Sequence, residues 1–387
     1  MRKLNFLILI GLLVTGVLVD SATPEVMPVK VVNIGSLNHI TGLYASWGEH
    51  QTVAVALAVE EINNWDKFRR AGYRFNIFTY DDASIPGNAP LMVRKAILDD
   101  KCSFLVGPIV STCVLSNMAI VKELGRPWII TSVVDKITEM DNPWVFRFVC
   151  PNRIGLRLSA DFIATKLMKT GNKFGMFSAN TEYGQTAKGI LNGYLKDKFG
   201  IIAVADVSHD TGSLDNTAQI LKLKAAGATV VALWSAAPAD CALVVKQAKE
   251  LGYTPVWMVG DVGNNPKFLE LAKDAAEGVY SATTVFNGAP DPGLQKFVKN
   301  FTTKAGKEPS WVCVGQYDAL WLIAEIILKV GPDPDKIKAS LENTSNWEGI
   351  VGTYTFTPKD RNGIKSQYFV KWENGKLVMV SKMGELK

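Results

Sequence analysis

IGSLNHITGLYASWGEHQTVAVALAVEEIN, residues 34–63, opens as an apolar strand, passes through a loop holding Gly35, Gly42 and Gly48, and ends in a helical pattern. A glycine-bearing loop between a strand and a helix is the usual setting of a phosphate cradle. His39, Tyr44 and Trp47 are bulky for that task. Gly48 is followed by Glu49-His50 rather than Lys and Ser or Thr, so this is no P-loop, and G-x-G-x-x-G is absent. Glu49 would also repel phosphate. The loop reads instead as an aromatic wall, with Trp47 the first candidate for ligand contact and Tyr44 the second.

Outward from this stretch, short β-branched or aromatic runs alternate with longer amphipathic ones. Strand candidates are 29–37, 75–83, 103–108, 127–132, 173–180, 201–209, 229–236, 255–262 and 279–286, with helical patterns at 186–199, 216–227 and 239–252 between them. Such alternation predicts βαβ units and parallel sheets. The strands are too many for one comfortable sheet, so the expected fold is α/β, with two doubly wound Rossmann-like lobes. The expected division is 1–21 as a signal peptide, 29–150 plus 282–349 as lobe 1, and 151–281 plus 350–387 as lobe 2. Past a helix-like run at 317–331, YTFTP (354–358) reads as a strand. QYFVKW and KLVMVSK are split by Glu373-Asn374-Gly375, a hairpin signal.

The 387 residues are 48% hydrophobic and 20% charged, enough for sizeable cores, and a formal charge of +5 without a long basic run gives no reason to expect nucleic acid. Arg2 and Lys3 precede an apolar run, Leu4–Val19, and then Asp20-Ser21-Ala22. That is the form of a secretory signal rather than a membrane span, and it places the mature protein outside the cytoplasm. No cysteine near the expected cleavage point offers a lipid anchor. Cys102, Cys113, Cys150, Cys241 and Cys313 contain no C-x-x-C, so no zinc or redox motif is expected; buried single thiols are favoured over a Cys102–Cys113 pair.

Enzyme signatures are missing. G-x-S-x-G does not occur, and His39, His50 and His209 are too few and scattered for a triad or a metal site. His50 reads as a surface or interface residue, and Asp81-Asp82 as turn and helix-start electrostatics. No cofactor and no metal are expected.

In doubly wound sheets ligands sit beyond the carboxyl ends of the strands. After the strand at 103–108, Ser111 and Thr112 begin a helix. A plain helix cap and an anion site formed by open N–H groups and hydroxyls are equal readings there. Thr131, Ser132, Val133 and Asp135 follow the next strand. Tyr183, the Trp234-Ser235-Ala236 corner and Asp261 end strands of the second lobe, where Tyr183 can close over a ligand and Asp261 can pair with an ammonium or cap a helix.

In this order, T-G-x-Y-A-x-W-G (41–48), E-E-I-N (60–63), Y-D-D-A (80–83), V-G-P (106–108), E-Y-G (182–184), A-E-G-V-Y (276–280) and Y-D-A (317–319) resemble the periplasmic solute-binding proteins of ABC importers, in the Leu/Ile/Val-binding (type I) family. The resemblance spans essentially all of the mature chain. It implies two lobes joined by three hinge crossings that close over a small ligand, delivery to a membrane permease, and no catalysis. It assigns the ligand's carboxylate and amine to Ser111, Val133 and Asp135, the cover to Tyr183, the ammonium to Asp261 and a ligand contact to Trp47. Family amino-acid binders tend to show T-P-A-A-T where this chain has Thr131-Ser132-Val133-Val134-Asp135, which puts an anion beside the expected carboxylate site. The expected ligand is a branched-chain or other hydrophobic amino acid. Aromatic or aliphatic carboxylates and amides are the alternatives, as is a ligand-sensing receptor on the same fold. A monomer is expected.

Overall fold

The computed structural model describes residues 29–384; the signal segment expected at 1–21 lies outside that range. Strands that are covered on both faces read as near-continuous apolar runs. FGMFSA and VVALW, buried at every residue, are of this kind. The first sheet holds β1 (Lys30–Asn38), β2 (Tyr73–Asp81), β3 (Phe104–Val106), β4 (Trp128–Ile130) and β5 (Val145–Arg147), all parallel, in the order β2-β1-β3-β4-β5. Ile34 is paired with both Ile77 and Phe104, which sets the register at its centre.

The second sheet contains β6 (Phe174–Ala179), β7 (Ala205–His209), β8 (Val230–Trp234), β9 (Val256–Val259) and β10 (Tyr280–Thr283). A short pair follows, β11 (Trp347–Glu348) with β12 (Thr353–Tyr354). The chain then returns as β13 (Ser366–Glu373) and β14 (Lys376–Gly384), and the sheet order is β14-β13-β10-β9-β8-β6-β7. β13 and β14 run antiparallel and extend the parallel core. Asn374 (φ 51°) and Gly375 (φ 70°) form their two-residue turn, the left-handed pair that a tight right-twisted hairpin needs.

Sheet membership shows how the chain passes between the two sheets. The last strand of the first sheet ends at Arg147, and the second sheet is built from strands between Phe174 and Thr283 and again from Ser366. Val279 and the strand after it pair within the second sheet, whereas Tyr354 and Phe356 pack on Phe148 at 4.9 and 5.1 Å. The strand expected at 354–358 shrinks to Thr353–Tyr354.

Helix Ala45–Asn64 packs against helices Pro292–Ala305 and Trp311–Val330 on the first lobe. His50 sits in that interface rather than on the surface. Its ring stacks on Phe301 at 5.6 Å, Nδ1 accepts the Ser310 N–H, and burial pushes its pKa down to about 4. Helix Trp311–Val330 has the length and composition of a membrane span, but 83% of its apolar window is buried, which makes it a core helix. All five cysteines are buried and none is in a disulfide.

Candidate functional site

In each sheet the strand order reverses once, between β1 and β3 in the first and between β6 and β8 in the second. The helices leaving the strands there go to opposite faces, which opens a crevice at the strand ends. The two crevices face each other, and the residues lining the space between them are Trp47, Ile109, Val110, Ser111, Thr131, Val133 and Trp311 from the first lobe, with Tyr183, Ala236, Asp261 and Val262 from the second. The space left between these side chains is about 20 Å³, room for about one water.

The loop after β1 is held from below by two carboxylates. Asp81 accepts the N–H groups of Ile40 (2.9 Å) and Thr41 (3.2 Å) and the Thr41 hydroxyl (2.6 Å). Asp82 accepts His39 Nδ1–H at 2.7 Å, and His39 Nε2 accepts the Val110 N–H at 3.2 Å, so these partners select the Nδ1–H tautomer. His39, Asp82 and Cys113 bring ligand-type atoms within 4.8 Å of one another. With both imidazole nitrogens committed, the ring has no lone pair to give a cation. The pair instead joins the loop after β1 to the one after β3. Gly48 lets the helix start lie against this loop, since a Cβ there would be 2.1 Å from the His39 carbonyl oxygen.

That close approach brings Trp47 into the crevice. Its ring meets Trp311 edge-on at 6.1 Å, and its Nε1–H donates to the Ala236 carbonyl at 2.9 Å, a hydrogen bond from one lobe to the other. Tyr44 does not line the space. It packs on His39 at 5.7 Å, and its hydroxyl, pushed up to about 12 by burial and then by Asp240, lies toward Asp240 and Thr211 of the second lobe.

Ser111 is the first residue of helix Ser111–Leu124, and Val110 before it supplies no side-chain cap, so the first-turn N–H groups stay open. The Ser111 and Ser132 hydroxyls are 2.9 Å apart. Thr131 Oγ1 accepts from Gln51 at 3.3 Å, which leaves its own proton to donate. Ser132 therefore stands behind the lining, while Thr112 faces a separate rim groove beside Asn180, Thr181 and Glu182.

Asp135 turns away from the crevice. It accepts the Arg153 N–H at 2.7 Å, next to the start of helix Asn152–Phe162, with the Arg153 side chain at 4.0 Å. Burial raises its pKa, against the pull of Arg147 and Arg153. The anion that the sequence places beside the hydroxyls is spent at the lobe junction.

Across the crevice, Thr181 caps helix Glu182–Phe199, and the Tyr183 hydroxyl donates to Asp261 Oδ1 at 2.5 Å. Desolvation pushes the Asp261 carboxyl up to about 6, partly offset by the Tyr183 bond and by the N–H groups of Asp261 and Val262. A carboxylate so placed gains from a cationic partner, because the partner returns the charge stabilisation that burial removed.

Ile109, Val110, Val262 and Trp311 escape sequence reasoning. Trp311 opens its helix six residues before the Tyr317 start expected from the pattern; Pro309-Ser310 is the boundary signal that marks it. It is 2% exposed, and its Nε1–H meets no acceptor among the described residues.

The family model for periplasmic binding proteins matches residues 31–376. The chain belongs to the periplasmic binding protein family. It is 26% identical over 367 residues to Leu/Ile/Val-binding protein homolog 7 of Brucella abortus, covering 90% of this chain and 91% of that one. It is also 26% identical over 336 residues to the leucine-, isoleucine-, valine-, threonine- and alanine-binding protein of Pseudomonas aeruginosa, covering 86% and 87%. Among solved structures, a leucine-binding protein from Thermotoga maritima superposes with TM-score 0.83 at 22% identity, covering 91% of this chain and 99% of that one. A solute-binding protein of an ABC transporter from Rhodopseudomonas palustris, in complex with 3,4-dihydroxybenzoic acid, gives 0.81 at 22%, covering 92% and 98%. These neighbours share the two-lobed type I binding-protein fold. For a periplasmic binding protein, membership implies an extracytoplasmic location, a small-molecule ligand and a transporter partner.

Proposed function

We propose that this periplasmic binding protein captures an α-amino acid with a hydrophobic side chain and delivers it to the membrane permease of an ABC importer. The carrying observation is the division of charge across the crevice. Hydrogen-bond donors stand on one lobe (Ser111, Thr131 and the open helix start), and one carboxylate, Asp261, stands on the other. A zwitterion satisfies both and thereby favours the closed state of the two lobes. Ile109, Val110, Val133, Val262 and the aromatic rings suit an apolar side chain. The diversion of Asp135 to Arg153 supports the carboxylate end of this reading. Export through residues 1–21, the lobe division near the three crossings and a monomeric state belong to the same proposal, as do contacts from Trp47, Tyr183 and Asp261 to the ligand.

A second reading, an aromatic carboxylate, is favoured by the paired indoles of Trp47 and Trp311 and by the dihydroxybenzoate held by the Rhodopseudomonas neighbour. Such a ligand lacks the ammonium and leaves Asp261 without a cation. Calorimetry with L-leucine, L-valine and 4-hydroxybenzoate separates the two, supported by mass spectrometry of ligand released from denatured, freshly purified protein. Binding of the benzoate with no response to either amino acid would overturn the amino-acid reading.

A further inference from the structure

Arg147, the last residue of β5, is fully buried and has no carboxylate within ion-pair distance among the described residues. Its guanidinium is spent on neutral acceptors. Nε donates to the Ser132 carbonyl at 2.7 Å, one terminal nitrogen to Thr138 Oγ1 at 3.2 Å and to Asn362 Oδ1, and the other to the Val134 carbonyl. Burial pulls its pKa down to about 10, with Asp135 the chief opposing charge. Burying a guanidinium is costly, and a stability role alone does not require one.

The position explains what it can do. Ser132 and Val134 flank Val133 in the loop that lines the crevice, and the Ser132 hydroxyl meets Ser111 at 2.9 Å. Asn362 lies on the last crossing. The Arg147 backbone is bonded to that same segment, its N–H to the Arg361 carbonyl (2.8 Å) and its carbonyl to the Gly363 N–H (2.9 Å). Arg147 itself begins the first crossing, where the Asn152 N–H donates to the Val133 carbonyl at 2.7 Å. Two of the three connections between the lobes therefore meet the ligand-facing loop at one side chain. Motion of one lobe against the other must turn these crossings, and a rigid planar fork allows few compromise geometries.

We infer that Arg147 is a positioning residue for lobe closure, coupling the 131–134 loop at the ligand site to the first and last crossings through Ser132, Val134 and Asn362. Contacts made by a ligand on Ser111 and Thr131 then bias the hinge through this joint. The inference rests on the amino-acid reading only for the choice of probe.

The test uses the full chain with spin labels at Leu91→Cys and Leu214→Cys, one exposed site on each lobe. Inter-lobe distances are measured with and without L-leucine. Asn362→Ala removes the acceptor on the last crossing and leaves every lining residue intact; Arg147→Lys removes the planar fork. The expected result is a broadened distance distribution in both variants, incomplete closure at saturating leucine, and about tenfold weaker binding. Unchanged distances and affinity overturn the inference, even if melting temperature falls, because a purely structural role predicts that combination. If the parent protein fails to bind leucine, the functional reading fails separately. The ligand-free distributions still decide the joint: a shift in Asn362→Ala supports it, and identity with the parent overturns it.

Discussion

Asp261→Asn keeps the shape of the side chain and an oxygen to accept from Tyr183, and removes the charge. In the ligand-free protein the carboxyl stands at about 6 rather than 3.8 because the lobe desolvates it. At about 1.4 kcal/mol per pKa unit, ionised Asp261 opposes folding by about 3 kcal/mol, less the part relieved by solvent that still reaches it. The sign follows from the proton count. Between about pH 4 and 6 the folded protein holds a proton that the unfolded chain has released, so this contribution to stability falls as pH rises through the window. The Asn variant lacks that loss, and near neutral pH it should unfold at higher urea than the parent. Ligand binding should change in the opposite direction. Removing one partner of a desolvated charge pair costs about 2–5 kcal/mol, which is about 30- to 4,000-fold in affinity at about 1.4 kcal/mol per decade. Parent affinity for an amino acid should itself decline as pH drops below about 6, and the variant should show no such decline. Calorimetry and urea melts at about pH 7.5 and 5.5 measure both effects. Asn binding within threefold of the parent, with the same pH response, would falsify the placement of the ammonium.

Two further outcomes follow from the scaffold. Gly48→Ala forces a Cβ to 2.1 Å from the His39 carbonyl oxygen, and backbone atoms have little room to yield. A loss of about 1–3 kcal/mol in urea unfolding is expected, with weaker ligand binding because Trp47 is the preceding residue, and an unchanged midpoint would contradict the close approach. Asp318, which accepts from Ile350 N–H, Val351 N–H and the Tyr354 hydroxyl, is pushed up to about 7 by burial. Its folded-state pKa lies above the unfolded value, so its contribution to stability falls as pH rises from about 4 to 7. The stability difference between parent and Asp318→Asn should shrink or reverse over that window in urea melts, and a difference independent of pH would refute the assignment.

Much of the architecture was legible in the sequence because parallel strands advertise themselves. FGMFSA and VVALW are buried at every position and apolar at all but Ser178, and their connecting helices carry one apolar stripe. The strand-end residues Trp47, Ser111, Thr131, Val133, Tyr183, Ala236 and Asp261 then meet as a consequence of topology, since a reversal of strand order gathers them at one place. Side-chain direction was less legible. Asp135 lies only two residues beyond Val133 in the same strand-end loop, yet it is turned to the Arg153 N–H. Trp311 comes from a helix far along the chain that returns to the first lobe, and no local pattern reports that return. Arg147 sits in the apolar run WVFRFV (144–149), which carries no local sign of its contacts; its partner Asn362 is 215 residues away.

The buried cysteines have a practical and a cellular consequence. Desolvation pushes the thiols of Cys102 and Cys313 up to about 11 and 12, and raises those of Cys113 and Cys241 well above the ordinary thiol value. The reactive species is the thiolate, so these groups are nearly inert at ordinary pH. A chain of this kind reaches its native state without waiting for oxidation, and in an oxidising compartment its sulfurs are poor targets for mispairing once it has folded. For the experimenter the same silence means that a thiol introduced on either lobe can be modified alone, and the opening and closing of the molecule can be followed against a background that does not answer.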